Sequence, residues 1–277
     1  MNKEDKWGIM KFGSEELLRE SHETLVGQLG VIEGSFKKLM ESDDEMALNL
    51  YTLYFSVYNS CQSILILTPH YQVRDIYLTC RTIFELTLNI GYIASSGIES
   101  LSKAQRHMQQ KAYRDLQREL NIESIGLVTK SLGLENFEVS SSLQQSLEEF
   151  TTKKGFEIRS WTGENVFKKI EVISDRYGDK VRDMLKIGLF NIYRHASEIA
   201  HGTLFSLFYI IGSTTMRDRP KDTKELLRFH RQHISLLILT TCLLIEVNLT
   251  VMSDFKDLSE EISKSQKLTL NLIEKNK

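Results

Sequence analysis

Arg194 and His201 stand seven residues apart in the segment Asn191-Ile-Tyr-Arg-His-Ala-Ser-Glu-Ile-Ala-His201-Gly202. Seven residues make two helical turns, so both side chains project from one face, about 10 Å apart along the axis. A guanidinium is always charged and offers a planar fork that fits a phosphate, while an imidazole changes protonation near neutrality. Together on one face they can hold a phosphate and move a proton. Glu198 falls between them, where it can orient Arg194 or raise the basicity of His201. His195 lies about 100° around the helix from Arg194, toward the rim of the face or a partner chain.

An overlapping stripe holds Tyr193, Ser197 and His201, and an earlier helix repeats the habit with Arg81, Glu85 and Asn89. Charged groups on helices this apolar must pair or face water, because an isolated buried charge is costly. Two arrangements meet that demand. In the first, Arg81 and Glu85 answer Glu198 and Arg194 across a helix interface. Losing one partner of such a buried network would then cost roughly 3–5 kcal/mol. In the second, Arg194 and His201 open onto a cleft and do chemistry. The two are compatible, since a network can orient a catalytic histidine.

Long helices are needed to position these residues, and the composition favours them. The chain has 277 residues, 41% of them hydrophobic, and its prolines are Pro69 and Pro220 alone. Few breakers and long apolar-periodic runs predict an all-α fold, a single helical-bundle domain over residues 1–277. Its core is expected over about 44–96 and 164–252, with a helical insertion over 97–155 and additional N- and C-terminal helices. The last of these is an amphipathic helix over 256–277. Periodicity predicts helices over 14–40, 73–94, 165–177, 180–214, 222–252 and 258–277, and two or three amphipathic ones in the polar stretch 97–154. A capping box, Ser42-Asp-Asp-Glu45, should start another that Pro69 stops near Thr68. Gly155 to Gly163, with Trp161, reads as a loop. The 73–94 and 180–214 helices are expected at the centre.

The formal net charge of −2 gives no global attraction to nucleic acid or membrane, so any such contact needs a local patch. Arg217, Arg219, Arg228 and Arg231, with Lys221 and Lys224, crowd one stretch and suit phosphate contacts. Asp218, Asp222 and Glu225 offset them, as in an ordinary solvated turn. Cys61, Cys80 and Cys242 lie far apart inside apolar runs, which suits a reducing cytoplasm and no metal site. The charged N-terminus has no secretory pattern. Residues 234–252 are nearly all apolar, but Glu246 and Asn248 interrupt them, as in a core helix rather than a membrane span. His230 and His233 share a face without an acidic third ligand, and no Gly-rich phosphate loop appears, so no metal or cofactor is expected.

Arg81-Thr-Ile-Phe-Glu85, the loop Trp161, and Tyr193-x3-Ser197-x3-His201-Gly202 form an ordered set over about Tyr51 to Ile211. This set resembles a bacterial helical family of unknown function. Arg194-His195 followed by His201 is also similar to the signature of the HEPN superfamily of ribonucleases: an Arg, a polar residue, and a His four to six residues on. The HEPN resemblance implies a HEPN-like core and metal-independent RNA cleavage at a composite dimer site. Arg194 and His201 would be the catalytic pair, in a phage-defence or toxin-type protein with a possible protein partner or antitoxin. A different class remains open on the residues: a non-catalytic helical binding or scaffold protein whose polar stripe is structural or grips a small anion.

Overall fold

The computed structural model describes residues 13–117, 119–122, 125–128, 139–213 and 219–276. Arg217 therefore lies outside the described residues. The all-α architecture expected from the sequence is the one observed, joined by one short hairpin. In order, α1 spans Glu15–Leu39, α2 Glu45–Leu67, α3 Val73–Ser96, α4 Ile98–Leu116 and α5 Ser141–Glu149. Next come α6 (Val166–Gly188), α7 (Arg194–Ala200), α8 (Leu204–Ile210), α9 (Thr223–Met252) and α10 (Ser259–Lys275). Strands β1 (Glu119–Ile122) and β2 (Ile125–Val128) pair antiparallel, with Glu119 opposite Val128.

By contacts the chain divides into two compact units, Ser96–Asn165 and the remainder. In the smaller unit, Arg106 grips Glu149 through two hydrogen bonds of 2.7 and 3.2 Å, tying α4 to α5. Leu101, Leu143 and Phe150 are buried there. The hairpin takes the place of helix in part of the insertion expected over 97–155.

In the larger unit α9 is the hub, with α1, α2, α6 and α10 packed against it. From Ile234 to Met252 most apolar side chains of α9 are buried, with Leu236, Leu239 and Leu243 half-buried along one face. Of the two helices expected at the centre, α3 is half-buried along its length and bonded to α9, whereas the 180–214 helix is not one continuous element. An all-round apolar helix must be covered on every side, whereas a one-sided helix covers others. Among the described residues α9 is also the one helix long and apolar enough to cross a bilayer, yet 78% of its most apolar window is buried in the protein. Its polar interruptions at Asn248 and Glu246 find partners within the protein, although Asn248 Oδ1 is buried without one among the described residues. Asn248 donates to Thr87 Oγ1 and to Leu244 O, both at 2.9 Å, and Glu246 pairs with Lys180 and accepts from Gln266. The three cysteines are buried and free.

Helix ends follow local chemistry, with one correction. Asp44, not Ser42, caps α2, accepting from the Ala47 N–H at 3.0 Å; the Ser42 hydroxyl accepts from Asp44 N instead. A carboxylate at the N-cap also meets the positive end of the helix dipole, so it is the better of two adjacent candidates. Pro69 sits in the 3-10 turn that ends α2. Gly178 breaks the run of α6 with φ 84°, between the two helices expected there.

The expected helix 180–214 is not continuous. It passes through a π-helical turn at Leu189–Tyr193, resumes as α7, and stops at Ala200. Gly202 has φ +62°, a left-handed conformation in which an added Cβ would touch nothing but would be strained. Thr203 then caps α8, accepting from the Ser206 N–H at 3.2 Å. Glycine just past one helix and then a Thr N-cap is a stop-and-restart signal legible in His201-Gly202-Thr203.

Candidate functional site

Buried Gly188 places the π turn. A Cβ there would come within 2.8 Å of the Phe84 ring and 3.2 Å of Leu244 Cδ2, so the chain passes tightly between α3 and α9. Phe84 is fully buried and its ring packs 5.8 Å from that of Tyr193, the last residue of the π turn. An extra residue in the turn rotates the helix beyond it, and such bulges recur at functional sites. The first residue of the rotated helix is Arg194.

Arg194 and His201 are both exposed, and Glu198 between them is half-buried. His201 is the C-cap of α7 in helical conformation, so the two-turn spacing survives and both share one face. Its backbone N–H donates to Ser197 O at 3.2 Å, and half-buried Ser197 sits one turn below. Neither the Arg194 guanidinium, the Glu198 carboxylate nor the His201 ring has a hydrogen-bonding or ionic partner among the described residues. Close to them in sequence, three apolar side chains are exposed: Phe190 at 80%, Leu204 at 74% and Leu207 at 57%.

The network expected across the helix interface is not built. Arg81 Nε instead donates to Glu85 Oε1, one turn along its own helix, at 2.9 Å. The Arg81 guanidinium also lies over the Tyr193 ring, 5.3 Å from its centroid. With the two side chains 24% and 46% exposed, this pair is a partly solvated one, and the roughly 3–5 kcal/mol of a buried network does not apply. Arg81→Ala should cost about 0.5–1.5 kcal/mol and Glu85→Ala under about 1 kcal/mol, read from urea unfolding midpoints. A loss above about 3 kcal/mol for Glu85→Ala would restore the network. Asn89, the third of that stripe, accepts from Lys169 Nζ at 2.9 Å.

His195 differs from expectation as well. It turns inward rather than to the rim and stacks on Tyr209, with centroids 4.6 Å apart and planes 7° from parallel. Beneath that stack lies a cluster that residue spacing does not reveal. Tyr77 Oη is 2.9 Å from Tyr209 Oη and 2.9 Å from His233 Nδ1, and Tyr209 Oη is 3.2 Å from the same nitrogen. Phe229 packs 4.2 Å from the His233 ring. Burial, then His195 and His230, push the His233 pKa down to about 4; burial and Arg194 lower that of His195. Burial likewise drives the Tyr77 hydroxyl far above its ordinary range. The one hint in the sequence is a histidine inside an apolar helix.

Four cations of the basic stretch converge. Arg228 and Arg231 line a cavity of about 570 Å³ with Lys221, Lys224, Glu15 and Glu225. Arg231 reaches Glu15 at 3.4 Å, and Arg219 is exposed. Carboxylates interleave with the cations, in keeping with the charge pattern. His230 Nε2 lies 3.0 Å from Ile210 O and His233 Nδ1 is held by tyrosines, so the pair does not converge on a metal. No group of three or more His, Cys, Asp or Glu could hold an ion among the described residues.

Among curated proteins and among solved structures, none matches this chain. A family model matches residues 49–218, which take in Arg81, Glu85, Trp161, Tyr193, Ser197 and His201. The ordered set that suggested a helical family of unknown function thus falls within the matched segment, and the chain belongs to a family of unknown function (DUF5677).

Proposed function

We propose that this protein is a metal-independent endoribonuclease of HEPN type that works in the cytoplasm as a homodimer, with Arg194 and His201 as the catalytic pair. The observation that carries this reading is that the Arg194 guanidinium and the His201 ring share an exposed face and have no hydrogen-bonding or ionic partner among the described residues. A structural pair would be bonded or buried; Arg194 and His201 are exposed and have no such partner among the described residues. Phe190, Leu204 and Leu207, close to the pair in sequence, are exposed apolar side chains suited to contact with a second copy of the chain, which would bring two such pairs together.

The chemistry is transesterification. His201 of one copy takes the proton from a ribose 2′-OH, the 2′-oxygen attacks phosphorus, and the P–O5′ bond breaks. His201 of the other copy gives a proton to the departing 5′-oxygen. Arg194 stabilises the charge that builds on the non-bridging oxygens. Glu198, one turn from each, bonds to neither in the free chain and is placed to orient them once RNA is bound. The products are a 2′,3′-cyclic phosphate and a 5′-hydroxyl, and no redox partner or metal takes part. A defence or toxin role, with a protein antitoxin as partner, accords with such an activity.

Purified dimeric protein incubated with several RNA types in EDTA tests this directly. Cleavage leaving 2′,3′-cyclic phosphate ends is the expected result. Intact RNA after incubation with folded dimer overturns it and favours the alternative, a helical binding protein whose Arg194–His201 face grips an anion.

A further inference from the structure

Helix α8 is short and sits between two glycines in left-handed conformation, Gly202 at φ +62° and Gly212 at φ +74°. Its outward residues Leu204, Phe205 and Leu207 are exposed, and Ser206 is its one fully buried side chain. What fastens it to the core is its last turn. Tyr209 reaches Tyr77 on α3 and His233 on α9, and lies flat on His195 of α7. Ile210 O meets His230 Nε2 at 3.0 Å.

We propose that α8 is a hinged flap, latched through Tyr209 to Tyr77 and His233, and that protonation of His233 releases it. The proton inventory of the latch explains why. With the His233 Nδ1 lone pair as the acceptor, the two hydroxyl hydrogens fill two of the three short contacts, from Tyr209 Oη–H to Tyr77 Oη and from Tyr77 Oη–H to Nδ1. A protonated Nδ1 can no longer accept, and the order must reverse. The new charge is buried and faces Tyr77 from α3, Tyr209 from α8, His195 from α7 and His230 from α9 itself, with no anion among them.

The sign is that of a base whose pKa is depressed in the closed state. Closure is fully favoured above the ordinary value of 6.5 and weakens as pH falls from there toward about 4. For a single proton, the released fraction should rise roughly 20-fold between pH 7 and pH 5. Because α8 begins just after His201-Gly202, release also frees the C-terminal side of His201. That consequence rests on the ribonuclease reading, whereas the latch does not.

Hydrogen exchange on the full chain, corrected for intrinsic rates, reads the latch without RNA. The amides of Leu207, Ile211, Gly212 and Ser213, bonded within the flap, should exchange roughly 20-fold faster at pH 5 than at pH 7. Those of central α9 should not change. Tyr209→Phe keeps the ring stack but removes the hydroxyl, and should raise flap exchange at pH 7 about fivefold. His233→Gln should flatten the pH response. Should His233→Gln fail to fold, wild type and Tyr209→Phe decide the matter. Flap protection unchanged from pH 7 to pH 5, wild-type protection in Tyr209→Phe, or a full pH response in folded His233→Gln would each overturn the latch.

Discussion

His201→Ala is expected to slow RNA cleavage by about 10²–10⁴-fold, the usual effect of removing a general acid–base group. Its melting temperature should stay at the wild-type value, because the ring is exposed and has no hydrogen-bonding, ionic or ring partner among the described residues. Arg194→Lys should be severely impaired too, since an ammonium cannot reproduce a planar two-point grip on a phosphate. It should also fold normally, as the guanidinium has no partner among the described residues. The measurement is initial cleavage rate beside a thermal melt. Full activity in folded His201→Ala would remove the residue from the chemistry, even if wild type cuts RNA. Loss of the fold in that variant would instead return His201 to a structural role.

Phe84→Ala should have the largest effect on stability, about 3–5 kcal/mol, through lost transfer energy and the cavity left behind. The ring is fully buried, and it meets Gly188 and Tyr193 where the π turn begins and ends. For a chain of this size the melting temperature should drop by on the order of 10 °C. Phe84→Leu should lose much less, because it refills most of the volume. If Phe84→Ala melts within about a degree of wild type, the α3–π-turn contact does not hold the segment in place.

Much of the local structure is legible in the chain. The ends of α1, α3, α9 and α10 fall within a residue or two of those that periodicity predicts. Pro69 ends α2 as expected, and Cys61, Cys80 and Cys242 lie in the core. The polar residues of α9 argue for burial with partners, and Asn248 and Glu246 have them. Where structure departs from expectation, a local signal loses to a competing one nearby or to distant packing. Asp44 outcompetes Ser42 as a cap, and Gly202 with Thr203 cuts a helix that apolar periodicity alone would have continued.

The chain by itself determined that the protein is helical and that Arg194 and His201 share a face. Both properties depend on neighbours within about two turns, and helical geometry carries them. Only the tertiary structure decided which polar residues look inward. Arg81 and Glu85 bond to each other instead of crossing to α7, which leaves Arg194 open. His195 turns from the rim to Tyr209, and Tyr77 joins Tyr209 and His233 across separations of 132 and 156 residues. A side chain's partner is settled by close packing between whole helices, here by Phe84 against Gly188 and by a π turn that rotates α7. No spacing within one helix encodes that rotation, because its cause lies on another.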